Sequence, residues 1–398
     1  MKQINILGFA LSAYFMTMFS AVFAQNIDKN EVTFDYIQLP LTPLDNKVKS
    51  YDVVVIQNAD AKNVEIKAAY EQKKADADKK YEMDLKAQED LRNSQKSGVG
   101  SFLVAAGQMD PKNKIVKEAV ADPVYLKVFP NESVTSKINI EGFTKSTSNA
   151  AIVSVTLVGF EASEPNFTSS GTAPDIKWTY SFEYKSPINV KLECEGKVYM
   201  DELIPNSNKS MEFKQSNTFK TEAEAKNDWS SKSIGIKDAL QTKAFDASIV
   251  EANKFINNKF GFMKMKREAL LFSVTSKKVD YTDYNEAFAL LNEGMLMLGE
   301  DMLIEEGKTK IKEGVAKFET ILKESDVKDK KARINEDVTI ATYLNLLEAN
   351  LWLNEFVACQ KIILKIKTSN TSNREEKRMN RIKELIDDQK LRYDANKI

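Results

Sequence analysis

The sequence predicts an α+β protein of several domains: an antiparallel β-sandwich region carrying one long inserted helical arm, followed by an all-α region. Three observations carry this. Short alternating apolar and polar runs, separated by turn residues, recur between residues 25 and 220. They are interrupted at residues 59–97 by a charged run whose first 38 residues, through Lys96, contain no Gly and no Pro. From about Asp228 alternation gives way to helical periodicity, and no proline follows Pro205.

The elements follow in chain order. Residues 1–24 hold one charge, Lys2, then an apolar core, with Val22 and Ala24 as the small residues before Gln25. This pattern predicts a cleaved secretory leader, shorter than a membrane span. The residue after the cut is not Cys, so no lipid anchor is expected. Residues 31–39, EVTFDYIQL, alternate and are stopped by Pro40 and Pro43, and YDVVVIQ gives a second strand. The charged run is rich in Ala, Lys, Glu, Gln, Leu and Met, strong helix formers that give a rod of about 55 Å at 1.5 Å per residue. Tyr70, Ala77, Tyr81 and Leu85 make only a narrow seam, broken by Lys74 and Gln88. Two readings stay open for it: a solvated arm with i,i+4 pairs such as Asp76–Lys80, or the seam of a coiled-coil dimer.

The arm empties into residues 98–110, GVGSFLVAAGQMD, a small apolar segment flanked by glycines. Phe102 and Leu103 either pack back on the β region, dock on a partner, or touch a lipid surface. The segment is too short to span a bilayer. Strand signals return at PVYLKVFP (123–130), SKINIEGF, AIVSVTLVGF, KWTYSFEY, INVKLECEGKVYMDELI and KSMEFKQSNTFK, with Glu195-Gly196 placed for a hairpin turn. In KWTYSFEY, Trp178, Tyr180, Phe182 and Tyr184 share one face. Turned inward they are core. Turned outward, Trp178, Tyr180 and Tyr184 make a platform for sugar rings.

The region 228–398 contains three stretches that place a large residue three positions before a small one: Tyr284 with Ala287, Ile311 with Gly314, and Phe356 with Cys359. Each stretch resembles the second helix of a tetratricopeptide repeat, and Asn345–Ala349 resembles the first helix of the last unit. The closing proline is missing, Asp326 stands in its place in the best unit, and the spacing is uneven, so the repeats are degenerate. The resemblance implies a surface that holds other proteins or peptides. Tyr284, Phe288, Phe318, Trp352 and Phe356 are the candidate partner-binding residues there, together with Phe102 and Leu103. The layout of leader, early strand, arm, β-rich middle and repeat-like tail also resembles exported cell-envelope proteins of the Bacteroidota.

Composition limits the chemistry. With no histidine, the chain cannot build Ser-His-Asp or Cys-His catalysis or imidazole metal sites. No phosphate-binding glycine loop, CxxC pair or EF-hand loop is present, so no cofactor and no metal are expected. The 57 basic and 58 acidic residues balance, which argues against nucleic acid. The two cysteines, Cys194 and Cys359, read as buried free thiols. The expectation is therefore a non-enzymatic scaffold, exported to the periplasm, outer membrane or cell surface, that binds envelope or secretion-machinery proteins. Glycan binding by the aromatic strand is the alternative.

Overall fold

A computed structural model describes residues 25–96, 115–118, 120, 122–148, 150–300 and 302–397. The leader and the 98–110 segment, with Phe102 and Leu103, lie outside the described residues. The strands are β1 (Asn26–Gln38), β2 (Ser50–Gln57), β3 (Thr144–Lys145), β4 (Ala150–Leu157), β5 (Glu161–Ala162), β6 (Asn166–Ser170), β7 (Lys177–Lys185), β8 (Ile188–Cys194), β9 (Lys197–Leu203), β10 (Met211–Lys214) and β11 (Met263–Thr275). The helices are α1 (Ala59–Lys96), α2 (Asn131–Thr135), α3 (Glu222–Phe260), α4 (Thr282–Met297), α5 (Ile304–Ile321), α6 (Glu336–Trp352), α7 (Phe356–Thr368) and α8 (Asn373–Ala395). The chain is mixed α+β, and its described residues form two compact units, one within residues 44–257 and one of residues 25–43 with 258–397.

In the unit of residues 44–257 one sheet runs β3-β2-β4-β8-β9, and a second gathers β10, β5 and β6 around β7. The first sheet is mixed, not antiparallel throughout, because β2 pairs parallel with both β3 and β4. The long insertion between β2 and β4, which contains α1, supplies the crossover that a parallel pair requires. The β8–β9 hairpin turns at Glu195 and Gly196, both with positive φ, 50° and 80°, which matches the twist of the flanking strands. Tyr180, Phe182 and Tyr184 of β7 are buried. Phe182 and Tyr184 pack on Leu240 and Ala244 of α3, with Trp229 beside them. The layer over this aromatic face is thus a helix, where a facing sheet was expected.

Residues 123–130 do not form the expected strand. Prolines close both ends, and side-chain amides take the place of a neighbouring strand. Asn63 Oδ1 accepts from Leu126 N at 2.7 Å, Gln241 Oε1 from Lys127 N at 2.8 Å and Gln57 Oε1 from Phe129 N at 3.0 Å. Further along, Asn253 and Asn257 accept from the backbone of Asn139 and Glu141. Helix α1 forms as expected, but the Asp76–Lys80 pair gives way to contacts with the returning chain. Lys80 pairs with Glu118, Lys117 with Asp78, and the Tyr70 hydroxyl donates to Asp122 at 2.7 Å.

The other unit corrects the expectation of an all-α half. β11 pairs antiparallel with β1 from Asn26↔Thr275 to Gln38↔Met263 without a register shift. One face of this ribbon, with Val32, Phe34, Tyr36, Ala269 and Leu271, is buried. The rings of Phe34 and Tyr36 lie 5.1 and 4.7 Å from Trp352 of α6. The opposite face shows Glu31, Thr33, Lys264, Lys266 and Glu268 to solvent, the alternation of a ribbon with one wet side. Two antiparallel helix pairs, α4–α5 and α6–α7, pack with it, and α8 follows. Helix α8 starts on a Ser372–Glu375 capping box. It is anchored at its far end by Arg392, 3% exposed, whose guanidinium donates to Leu39 O at 2.8 Å and Asn258 Oδ1 at 2.6 Å.

Both cysteines are free thiols, Cys359 buried and Cys194 only half-buried. Burial pushes the Cys359 thiol up to about 12. The expected result is that iodoacetamide modifies Cys194 alone in the native chain, and both after unfolding, as read by intact mass. Modification of Cys359 at a rate close to that of Cys194 would contradict this packing.

Candidate functional site

Helices α6 and α7 are joined by a three-residue reversal, and its geometry sets what they expose. Asn354 takes φ 59°, a conformation that Asn tolerates better than most residues. Asn354 N donates to Leu351 O at 3.1 Å and Glu355 N to Asn350 O at 2.9 Å, the double cap of a Schellman motif. The hairpin is therefore tight, and a groove opens between it and the end of α5. Leu346 and Ile362 are buried in its floor, with Leu322, Tyr343 and Ala358 half-buried, and Lys323, Lys361, Lys365 and Glu319 on the exposed rim. The groove encloses about 390 Å³. The Lys365 ammonium stands 5.3 Å from the centroid of the Tyr343 ring, and burial raises the Tyr343 phenol above its ordinary pKa. None of the three lysines has an ion-pair partner among the described residues. An apolar floor under three unneutralised ammonium groups suits a segment that brings apolar side chains and carboxylates together.

The residues singled out from the sequence lie elsewhere. Tyr284 and Phe318 are fully buried and meet edge to face at 4.9 Å. Trp352 is covered by the ribbon, Phe356 packs on Tyr393 at 5.6 Å, and Phe288 is half-buried against the same core. These aromatics hold the unit together, and of the five only Phe288 keeps part of its surface exposed. The first two repeat-like stretches also pair differently from expectation. The repeat pattern makes each a second helix, but they lie in α4 and α5, which pack on each other through Gly294, Gly307 and Gly314. Asn345–Ala349 does lie in the helix preceding and packing on α7. Of the glycan platform, Tyr180 and Tyr184 are buried and Trp178 is half-buried. Tyr180 gives its hydroxyl to Asp228 at 2.9 Å, so two of its three rings have no free face for a sugar.

Tyr343, Lys323, Lys361 and Lys365 are not among the residues that the sequence motifs single out. The signal available was Lys361 and Lys365 at i,i+4 on a helix face without an acidic partner at helical spacing. Among the described residues no three His, Cys, Asp or Glu side chains gather as a metal-holding group, and no helix is long and apolar enough to cross a membrane. No family model, curated protein or solved structure matches the chain.

Proposed function

We propose that the chain is a non-enzymatic scaffold of the cell envelope that holds partner proteins through its C-terminal helical unit. The supporting observation is the lysine-rimmed groove between α5, α6 and α7, whose floor is apolar and whose cations have no ion-pair partner among the described residues. Helix pairs α4–α5 and α6–α7 read as two degenerate tetratricopeptide-like units, with α8 as the element that closes them. In such an arrangement the groove between successive pairs is where a peptide segment docks. The leader pattern at residues 1–24 supports export, and proteins of an envelope assembly or secretion machine are the proposed partners.

The groove's chemistry makes the test specific. The double change Lys361→Glu and Lys365→Glu is expected to lower thermal stability only slightly. Both side chains are exposed, neither has an ion-pair partner among the described residues, and an exposed contact such as that of Lys365 with the Tyr343 ring is worth about 0.5–1 kcal/mol. The same change should weaken binding of an acidic amphipathic peptide by about tenfold or more, with a flattened salt dependence. Equal affinity of both proteins for the peptide, measured by fluorescence anisotropy, would remove the groove from the account.

A further inference from the structure

We propose that the outer edge of β11, between Lys266 and Leu270, accepts an extended acidic segment of a partner protein as an added β-strand. This is a second site, independent of the lysine-rimmed groove.

The direction of the backbone groups follows from two asparagines. Asn345 of α6 accepts from Phe272 N and donates to Phe272 O, both at 2.8 Å. Asn285 of α4 does the same for Val274, at 3.2 and 2.9 Å. Phe272 and Val274 therefore turn their N–H and C=O groups away from β1. In an antiparallel ladder every second residue does so, and the β1–β11 register runs without a shift. Leu270, Glu268 and Lys266 consequently present their own N–H and C=O groups outward along the same edge. The ribbon has only two strands, and these outward groups find no partner among the described residues. The two amides cover one end of the edge as a neighbouring strand would, and the covering stops at Leu270.

Beside the open stretch lies a groove of about 410 Å³ between β11 and α8. Arg374, Lys377, Arg378 and Arg381 line it from α8 at i, i+3, i+4 and i+7, one helix face. None of the four has an ion-pair partner among the described residues. Arg378 lies over the Phe272 ring, 5.0 Å from its centroid. Burial and the adjacent Arg374 hold the Arg378 guanidinium below its ordinary pKa, a strain that an incoming carboxylate relieves. The acids in the groove are Glu31, Glu268 and Glu348, and Glu348 is already neutralised by Arg267. The surplus is positive, so the occupant is acidic.

That the occupant is a peptide follows from the edge. Paired donors and acceptors recurring every second residue, about 6.8 Å apart, match another extended backbone. A phosphate or a lipid headgroup would use the cations and leave the ladder unread.

The test uses the full chain and a blocked decapeptide of alternating Glu and Val. A copy N-methylated at every peptide nitrogen keeps the charges and loses the donors. Hydrogen exchange read at single-residue resolution should show the amides of Glu268 and Leu270 exchanging fast in the free chain and protected when the peptide is bound. The N-methylated copy should bind this edge about tenfold more weakly or worse. Arg374→Gln with Arg381→Gln should reduce the protection, while the Lys361→Glu, Lys365→Glu protein should retain it, so that the two sites stand or fall separately. Equal protection by the N-methylated copy would overturn the proposal, as would no protection at all. Binding of phosphatidylglycerol vesicles or inorganic phosphate in place of the peptide would also overturn it.

Discussion

A methyl group added at Gly294 or Gly307 is expected to destabilise the C-terminal unit by about 2–3 kcal/mol, although Gly→Ala inside a helix ordinarily stabilises by about 1 kcal/mol. The reversal comes from the crossing of α4 and α5. A Cβ on Gly294 would lie 2.6 Å from Gly307 O, and one on Gly307 would lie 2.6 Å from Gly294 O. In both cases the obstacle is backbone, which cannot rotate aside as a side chain can. Gly314 extends the close contact, since its Cβ would meet Leu291 Cδ2 at 2.8 Å. Gly235 of α3 gives the control of opposite sign, because a Cβ there meets nothing within 4 Å. Gly235→Ala should be neutral or raise Tm, while Gly294→Ala and Gly307→Ala lower it. A higher Tm for either of the latter two would mean that α4 and α5 are not in backbone contact.

Removing the carboxylate of Glu348 is expected to cost about 3–5 kcal/mol. Glu348 is 1% exposed and holds Arg267 of β11 through two parallel bonds, Oε1–Nε and Oε2–Nη2, both 2.9 Å. Oε1 also accepts from Trp352 Nε1 at 3.2 Å. Glu348→Ala therefore leaves a largely buried guanidinium and an indole N–H without their acceptor. Replacing both charges, as Arg267→Met with Glu348→Leu, should recover most of the loss, because the desolvation of the pair disappears along with its attraction. Chemical denaturation of the single and double variants reads this directly. A double variant as unstable as Glu348→Ala alone would show that the pair is not the source of the effect.

Much of this architecture was legible where the determining contacts are local. The absence of Gly and Pro through residues 59–96 foretold α1. The alternation in KWTYSFEY foretold that Trp178, Tyr180, Phe182 and Tyr184 share one face, which the fold buries at the last three, and Glu195-Gly196 foretold the β8–β9 turn. β11 was missed because Met, Lys, Arg, Glu, Ala and Leu, which fill its first half, are good helix formers. Its strand state is imposed by pairing with β1 at the far end of the chain. Residues 123–130 failed in the opposite direction: they alternate like a strand, but Gln57, Asn63 and Gln241 satisfy the backbone instead. The sites were hidden for a related reason. Large aromatics at helical spacing, such as Tyr284, Phe318 and Trp352, are what a core uses, and the structure buries them. Lysines and arginines acquire meaning when their carboxylate partners are missing; helical spacing shows this within one helix, as at Lys361 and Lys365, but partners on other elements are a property of the folded arrangement.

The central claim, that the α5–α6–α7 groove is a docking surface for a partner protein, is tested most directly by site-specific photocrosslinking in intact cell envelopes. A photoreactive residue at position 358, in the groove, is compared with one at position 391, where Leu391 is 61% exposed on α8. The account predicts one reproducible protein adduct from position 358. That adduct should be absent from position 391 and abolished by Lys361→Glu with Lys365→Glu. The same adduct from both positions, or one that survives the charge reversal, would contradict it.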